Sequence, residues 1–285
     1  MRRLIVNADD FGLTVGVNRA IAESNRAGVV TSTTLMANAQ ASEAAIDLAK
    51  AQPSLKTGCH IVLIDGVPLA ANLLSLTNDS RRFHTSLKQF AMAAVRKQIA
   101  VEEIQREVEA QIRQIQSRGI TLTHVDSHKH THMFPHVLRP VLRAAKACGI
   151  CAVRNPFEPL RSWPAGMVLG TPGLWLRSAG VMAFQLFAPA FRRAINKEGM
   201  VSTDGTVGIA VTGLLDQQKL LRILEALPEG TWELVCHPGY SDADLQAAGT
   251  RLTQSREIEL SALTSVDTKK ALARLHIELI SYADL

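Results

Sequence analysis

Short apolar runs alternate along this chain with longer segments in which apolar residues recur every three or four positions. The short runs predict β-strands, and the longer segments predict amphipathic α-helices. The predicted strands are Arg3–Asn7, Val29–Met36, Lys56–Val62, Leu122–Asp126, Cys151–Arg154, Val207–Val211, Trp232–Cys236 and Ile277–Ser281. The predicted helices are Gly16–Arg26, Ser42–Ala51, Val101–Ser117, Val137–Cys148, Asp216–Leu227 and Ser255–Leu263.

An alternation of strands and helices is typical of a parallel sheet that is covered by helices. Seven or eight such units in 285 residues predict an α/β fold, a single (β/α) barrel that is seven- or eight-stranded and distorted. No internal repeat, low-complexity tract or linker divides the chain. We therefore expect residues 1–285 to form a single domain.

One stretch, residues 157–206, departs from this alternation. It carries several prolines and an apolar run that begins at Leu174. Arg177, Gln185 and Pro189 interrupt the run too often for a membrane span. One interpretation is an apolar insertion that caps one end of the barrel and contacts a sugar face or an apolar aglycone. Extra core helices without a ligand role are the other interpretation, and the sequence does not separate the two.

Composition and charge narrow the classes of function. Hydrophobic residues make up 47% of the chain and charged residues 20%, which is typical of a globular protein with a substantial core. The net charge of +5 comes from scattered Lys and Arg, and aromatic residues are 5%, so nucleic-acid binding is disfavoured. Four cysteines are too few for a secreted disulfide scaffold, and the apolar run after Met-Arg-Arg is too short for a signal peptide. We therefore expect a cytoplasmic protein.

The densest group of chemically active side chains lies between His124 and His132. Four of the nine histidines and Asp126 fall within these nine residues, directly after a strand-like run. Neutral imidazole is the commonest protein ligand for a metal ion near pH 7. The alternation His-x-Asp-x-His-x-His-x-His places these side chains on one face for as long as the strand continues. A solvated, histidine-rich loop is the alternative.

Three further groups lie at or near the ends of predicted strands. Asp9 and Asp10 follow the first strand, where adjacent carboxylates repel one another unless a cation stabilises them; a helix cap at Asp10 beside a solvated Asp9 is the alternative. His60 lies in the third strand, where a lone histidine is usually only packed, and His237 follows the seventh. Because the carboxyl ends of parallel barrel strands meet at one mouth, we expect these groups and His128 to share a metal site.

These residues belong to motifs that resemble those of one family. The motifs are Asn7-Ala8-Asp9-Asp10-Phe11-Gly12, Val30-Thr31-Ser32-Thr33-Thr34, Gly58-x-His60, Thr123-His124-x-Asp126-Ser127-His128-x-His130-x-His132-Met133-Phe134-Pro135, Cys236-His237-Pro238, Arg256-x-x-Glu259-Leu260 and Leu263-Thr264. Together they resemble the ChbG/HpnK (YdjC-like) carbohydrate deacetylases nearly from end to end, most weakly over residues 157–206. Residues 157–161 and 173–177 look most like the hopanoid-associated HpnK branch.

The resemblance implies a barrel related to the polysaccharide deacetylases and a metal-dependent hydrolase. Such an enzyme removes the N-acetyl group from N-acetylglucosamine units of an oligosaccharide or glycolipid, with metal-bound water as nucleophile. Carried over by motif, Asp10, His60 and His128 would bind one divalent metal ion and leave positions open for water and substrate. Members of the family are often described with Mg²⁺, whereas two imidazoles and a carboxylate suit Zn²⁺ or another transition ion. The identity of the ion stays open.

The same resemblance implies roles for the residues around the ion. Asp9 would act as the general base that takes a proton from water, and His237 as the general acid for the departing amine. Arg154 would position Asp9 or bind a sugar hydroxyl, unless it forms only a surface salt bridge. The side chains expected to orient an imidazole, support the ligands or contact the substrate are Asp126, His130 and His132.

Two other classes of function remain open. Another metallohydrolase on the same barrel, such as a phosphoesterase, would be expected to carry more cations at strand ends than Arg154 and Lys129. A non-catalytic glycan- or lipid-binding relative would be expected to lack Asp9 or His237, and both are present. Among partners we expect an N-acetylated sugar or glycolipid. Peripheral contact with a membrane and a homodimer are both compatible with the sequence.

Overall fold

The computed structural model describes residues 1–159 and 173–285, and in these ranges the chain forms a parallel sheet surrounded by helices. The strands are β1 (Arg2–Phe11), β2 (Ser32–Leu35), β3 (Lys56–Ile61), β4 (His124–Ser127), β5 (Ala152–Val153), β6 (Gly205–Val207), β7 (Gly230–Cys236) and β8 (Ile277–Ile280). The helices are α1 (Val15–Arg26), α2 (Ser42–Ala51), α3 (Leu87–Val95), α4 (Val101–Ser117), α5 (Pro135–Ala147), α6 (Leu174–Phe184), α7 (Ala188–Glu198), α8 (Gln217–Ala226), α9 (Ala243–Ala247), α10 (Gln254–Thr264) and α11 (Val266–Arg274). Short 3-10 helices span His128–Met133, Gln185–Phe187 and Tyr282–Asp284.

Seven of the strands follow one another in the order β5-β4-β3-β2-β1-β7-β6, and all of these neighbours are parallel. Strand β8 pairs with the first half of β1, and β2 pairs with its second half. A parallel bridge between Ala152 and Val201 links the β5 edge to the segment before β6, with Val153 N donating to Val201 O at 3.0 Å. The curled sheet is therefore the distorted parallel barrel that the sequence predicts.

The periodic apolar positions of the helices face this sheet. In α4, Ile104, Val108, Ile112 and Ile115 recur at helical spacing, and all four are fully buried. Burial of each such side chain stabilises the fold by about 1.5–3 kcal/mol relative to leaving it exposed. The predicted helices lie within two residues of their observed bounds, because one continuous apolar stripe on each of them packs against the barrel.

The prediction of a strand at Val207–Val211 is wrong beyond its first residue. Strand β6 is Gly205–Val207, and the chain leaves the sheet at Gly208, where φ is +96°. The backbone N–H groups of Gly208 and Ala210 donate to the Glu158 carboxylate at 2.8 and 3.1 Å. In a regular strand these backbone N–H groups would donate to a neighbouring strand, but here they donate to the Glu158 side chain.

The segment predicted as an insertion, residues 157–206, contains α6 and α7, and residues 160–172 of it lie outside the described part of the chain. We call residues 173–198 the cap. Arg177 Nη1 donates to Thr212 O at 3.0 Å, and the Phe184 ring lies 6.2 Å from the Phe134 ring. Because these partners follow β6 and β4, the cap lies at the carboxyl end of the barrel. A contact of the cap with a sugar stays a prediction.

Each helix found in residues 1–159 and 173–285 is too short or too polar to cross a membrane.

Gly58 in β3 is expected to tolerate no side chain. A Cβ atom there would lie 2.5 Å from His124 Cε1 and 2.7 Å from the His124 carbonyl oxygen. The His124 ring is held in a stack on Tyr282, with 3.7 Å between ring centroids, so it has no free path away. We expect Gly58→Ala to lower the free energy of unfolding in urea by about 1–3 kcal/mol.

The matched control for this prediction is Gly180→Ala in α6. A Cβ atom at Gly180 would meet no described atom within 4 Å. Alanine also favours a helix over glycine by up to about 1 kcal/mol. The control is therefore expected to be neutral or stabilising, and equal losses in both variants would contradict the close approach at Gly58.

Candidate active site

A bulge in β1 brings the side chains of Asp9 and Asp10 into one buried cluster. Ala8 pairs with Thr33 and Phe11 with Leu35, so β1 advances three residues where β2 advances two. Asp10 has a φ of +66°, a region that residues other than glycine rarely adopt. Adjacent side chains of a regular strand point to opposite faces, and the extra residue removes this alternation.

Three side chains that could hold a metal ion meet here from β1, β3 and the 3-10 helix that follows β4. Asp10 Oδ1 lies 3.6 Å from His60 Nε2 and 3.3 Å from His128 Nδ1. All three donor atoms lie within 4.8 Å of one another. Donors that bind one tetrahedral ion at about 2.0–2.2 Å are separated by about 3.3–3.6 Å. Asp10, His60 and His128 therefore have the spacing of side chains that hold one metal ion.

Hydrogen bonds orient two of these donors toward the shared point. The Nδ1 atom of His60 lies 2.7 Å from Asp126 Oδ1, which leaves Nε2 free to face Asp10. Arg256 Nη2 donates to Asp10 Oδ2 at 2.5 Å, which leaves Oδ1 free to face the two imidazoles. Such partners fix the ring orientation and the tautomer of a ligand before an ion arrives.

A buried arginine joins three carboxylates beside the ligands. Arg154 donates to both carboxylate oxygens of Asp9, at 2.6 and 2.8 Å, and its Nε donates to Glu233 Oε1 at 2.8 Å. Its Nη1 also pairs with Asp126 Oδ2 at 2.5 Å. Arg154 is fully buried, so this is not a surface salt bridge. The guanidinium fixes carboxylates from β1, β4 and β7 relative to one another.

The charges of these groups follow from their partners. Burial alone would raise the pKa of Asp9 and of Asp10, but the Arg154 and Arg256 guanidinium groups outweigh it and lower both pKa values. Burial alone would lower the pKa of His60, but Asp126 raises it to about 9. In the absence of a metal ion, both aspartates are therefore ionised and His60 is protonated at neutral pH.

His237 approaches the site from the end of β7. Its Nε2 lies 3.9 Å from Asp9 Oδ2, and its backbone N–H donates to Glu259 Oε2 at 2.6 Å. Burial lowers the pKa of His237 to about 4, although Asp9 and Asp10 act in the opposite direction. Burial raises the pKa of Glu259 to about 7. The imidazole of His237 is therefore neutral at neutral pH.

The other histidines of the cluster differ in their surroundings. The two ring nitrogens of His132 lie 2.6 Å from Ser127 Oγ and 3.2 Å from Arg154 O, so this side chain joins β4 to the end of β5. His130 has a φ of +53°, and its buried Nδ1 has no hydrogen-bond partner in residues 1–159 or 173–285. The chain leaves the strand at Ser127, so the single face expected from the alternation ends there.

Glu233 and Tyr282 are parts of this network that sequence reasoning missed. Tyr282 Oη donates to Glu233 Oε2 at 2.5 Å, and Glu233 in turn accepts from Arg154. The sequence contains one sign of the role of Glu233, since it is a carboxylate in the otherwise apolar run Trp232–Cys236. Tyr282 lies after the last strand, where nothing in the sequence marks it as part of the network. The sequence places Arg256 in a motif but gives no sign of its contact with Asp10.

Known proteins resemble this chain over nearly its whole length. The family model described as YdjC-like protein matches residues 3–274. A carbohydrate deacetylase from Brevibacillus brevis is 33% identical over 284 residues, which are 99% of this chain and 99% of the relative. A carbohydrate deacetylase from Geobacillus stearothermophilus is 34% identical, over 99% of this chain and 98% of the relative.

A solved structure supports the fold. The crystal structure of an Enterococcus faecalis protein that is named for cellobiose-phosphate cleavage superposes with a TM-score of 0.77. The two sequences are 24% identical, and the superposition covers 99% of this chain and 98% of the other. The distorted barrel seen here is therefore a known architecture.

Removal of the Arg154 guanidinium should destabilise the fold. Arg154→Met leaves the Asp9, Asp126 and Glu233 carboxylates buried without their shared cation. We expect a loss of about 3–5 kcal/mol in the free energy of unfolding, measured in urea. Arg274→Met is the matched control because Arg274 pairs with Glu225 on the surface, where an ion pair contributes about 0–1 kcal/mol. Similar losses in the two variants would contradict the bridging role of Arg154.

Proposed function

The chain belongs to the YdjC-like family, and on this premise we propose that it is a metal-dependent carbohydrate N-deacetylase. It hydrolyses the acetamide of N-acetylglucosamine units in an oligosaccharide or glycolipid. The observation that carries this proposal is the meeting of the Asp10, His60 and His128 donor atoms beside Asp9 and His237. The relatives from Brevibacillus brevis and Geobacillus stearothermophilus, which are named carbohydrate deacetylases, support the substrate class.

The charge balance of the site supports a divalent cation. Its buried carboxylates are those of Asp9, Asp10, Asp126 and Glu233, and its buried guanidinium groups are those of Arg154 and Arg256. With His60 neutral, as a metal ligand must be, two negative charges are left over, apart from Glu259, whose pKa of about 7 leaves it partly neutral. Uncompensated charge is costly in a protein interior, and a divalent ion offsets this excess.

The donor set supports a transition ion. Two imidazoles and one carboxylate suit Zn²⁺ or a similar ion, whereas Mg²⁺ prefers six oxygen ligands at near-octahedral geometry. Asp10, His60 and His128 supply three donors and leave room for water and for the substrate carbonyl. When bound, such an ion polarises the acetamide carbonyl and lowers the pKa of water.

Asp9 and His237 supply a route for the proton. Asp9 is ionised and takes a proton from the water that attacks the acetamide carbon. His237 Nε2 is 3.9 Å from Asp9 Oδ2, and burial lowers the pKa of His237 to about 4. The proton reaches the departing nitrogen through His237 Nε2 as the C–N bond breaks. An imidazolium with so low a pKa is a strong acid toward an amine.

We assign different roles to His130 and His132. The unpartnered Nδ1 of His130 and its left-handed backbone conformation support a contact between this side chain and the substrate. A buried polar atom without a partner destabilises a fold by about 1–3 kcal/mol, and a sugar hydroxyl would satisfy it. His132 has both ring nitrogens within hydrogen-bond distance of protein atoms, and its contact with Arg154 O supports the guanidinium that holds Asp9.

A phosphoesterase on the same barrel fits the site less well. The guanidinium groups of Arg154 and Arg256 are bound to carboxylates and are therefore not available to a phosphate. A non-catalytic glycan-binding protein would not require the Asp9 and His237 pair.

Acetate release tests the proposed function. The protein is incubated with N-acetylated chito-oligosaccharides, with and without a chelator, and then resupplied with Zn²⁺ or Mg²⁺. We expect acetate release that the chelator abolishes and that Zn²⁺ restores. Parallel assays use p-nitrophenyl phosphate. Release of p-nitrophenol without acetate, or acetate release that survives complete metal removal, would overturn the proposal.

Replacement of Asp9 should separate chemistry from metal binding. Asp9→Asn removes the proton acceptor but no metal ligand, so we expect kcat for acetate release to fall by about 10²–10⁴ while elemental analysis finds unchanged metal. Asp216→Asn is the matched control because Asp216 caps α8 at the surface and asparagine caps equally well. Comparable rates for Asp9→Asn and the parent protein would remove Asp9 from the base role.

Metal uptake should depend on pH through His60. Burial alone would lower the pKa of His60, but Asp126 raises it to about 9. A metal ligand must be unprotonated, so below pH 9 each unit should weaken apparent Zn²⁺ affinity about tenfold. Asp126→Asn should lower the pKa of His60 and flatten this dependence, together with a weaker affinity at high pH. Competition with a chromophoric chelator between pH 6 and 8 measures the slope, and a flat profile in the parent protein would contradict this account.

A further inference from the structure

Helix α6 in the cap has only Arg177 and Ser178 as polar residues, yet Leu174 is its one buried residue. The exposed apolar side chains of α6 and the turn after it are Trp175, Leu176, Met182, Phe184 and Leu186, which we call the apolar patch. Trp175 is 61% exposed and Leu186 is 82% exposed. Single exposed apolar residues are ordinary, but five within twelve positions form a surface that marks an interaction site. A helix as rich in apolar residues as this one normally lies against a core or against lipid.

The cap carries positive charge. Between residues 173 and 197 the sequence contains no carboxylate, and its charged residues are Arg177, Arg192, Arg193 and Lys197. Helices α5 and α7 border a groove of about 300 Å³, and the cations that line it, which define the basic groove, are Arg139, Arg143, Arg193 and Lys197. Glu198 is the single carboxylate in the lining of this groove. The region therefore attracts anions.

The apolar patch and the basic groove adjoin. The rings of Phe184 and Phe187 lie 6.2 and 5.7 Å from the ring of Phe134. The next residue, Pro135, lines the basic groove together with Ala190 of α7. The apolar patch therefore meets the basic groove at Phe184, through its contact with the residue that precedes Pro135.

We infer that the cap docks on the surface of an anionic lipid bilayer. The apolar patch enters the boundary between headgroups and acyl chains, where Trp and Phe are favoured, and the basic groove binds lipid phosphates. A second copy of the chain is a poorer occupant because two identical cationic surfaces repel each other. Charge complementarity therefore selects the anionic bilayer.

The position of the cap determines which end of the barrel would face the bilayer. Arg177 and Gln185 donate to the backbone oxygens of Thr212 and Glu158, in the segments that follow β6 and β5. The cap therefore lies on the carboxyl end of the barrel, the same end as the metal-ligand side chains. Docking through the apolar patch turns this end of the molecule toward the bilayer. Docking through the apolar patch and the basic groove does not require the proposed deacetylase activity.

Vesicle sedimentation tests the inference with the full-length protein. Vesicles of phosphatidylcholine mixed with phosphatidylglycerol are compared with vesicles of phosphatidylcholine alone, at low and at high salt. We expect the parent protein to sediment with the anionic vesicles and to be released by salt. The variants W175S/L186S and R193S/K197S should each lose at least about tenfold in apparent affinity. Val266→Ser, which removes an exposed apolar side chain from α11, is the matched control and should bind like the parent.

Each other outcome overturns the inference. It fails if the parent protein does not sediment with anionic vesicles, or if the variants of the apolar patch and the basic groove bind as the parent does. It also fails if light scattering shows a parent dimer that W175S/L186S converts to monomer without any vesicle binding, since the apolar patch is then an interface between copies. Circular dichroism and urea unfolding verify that the variants are folded. Vesicle binding without any acetate release would overturn the proposed function and leave this inference standing.

Discussion

The buried guanidinium of Arg154 determines how the carboxylates of this barrel are arranged. It holds Asp9 through two hydrogen bonds and pairs with Asp126 and Glu233, so three strands are joined at one cation. Asp126 then orients His60, whose other ring nitrogen faces Asp10. A shift of Arg154 would therefore move Asp9 and His60 together. Buried charges of this kind are tolerated only when each has a partner, which makes the network an all-or-none arrangement.

The bulge in β1 separates the chemistry of two adjacent aspartates. Both carboxylates face the same cluster, but Asp9 is held by Arg154 and Asp10 by Arg256. Asp10 keeps one oxygen for the imidazoles of His60 and His128. Asp9 lies beside His237, and one of its carboxylate oxygens is also within 4.8 Å of a His60 ring nitrogen. Two residues that are neighbours in sequence thereby have different surroundings, which under the proposed function suit one to metal binding and the other to proton transfer.

Much of the fold and part of the site follow from the sequence for physical reasons. Strand and helix periodicities report burial directly, and parallel strands bring their carboxyl ends to one mouth, so the approach of Asp10, His60 and His128 was foreseeable. The contact between Arg154 and Glu233 in β7 could not be predicted from the sequence. The two residues are 79 positions apart, and the strand order decides which side chains meet across a barrel. The separation of His130 from His132 depends on the turn after Ser127, which breaks the alternation that the sequence displays. The exposure of the cap could not be predicted from the sequence either, since an apolar run is compatible with either a core or a surface.

The central claim is that Asp10, His60 and His128 bind one divalent ion. The most direct measurement is anomalous diffraction at the zinc absorption edge from crystals of the protein grown with Zn²⁺. This account expects one peak, about 2.0–2.2 Å from Asp10 Oδ1, His60 Nε2 and His128 Nδ1. An anomalous map without a peak among these three atoms, or with the ion bound elsewhere at full occupancy, would contradict it.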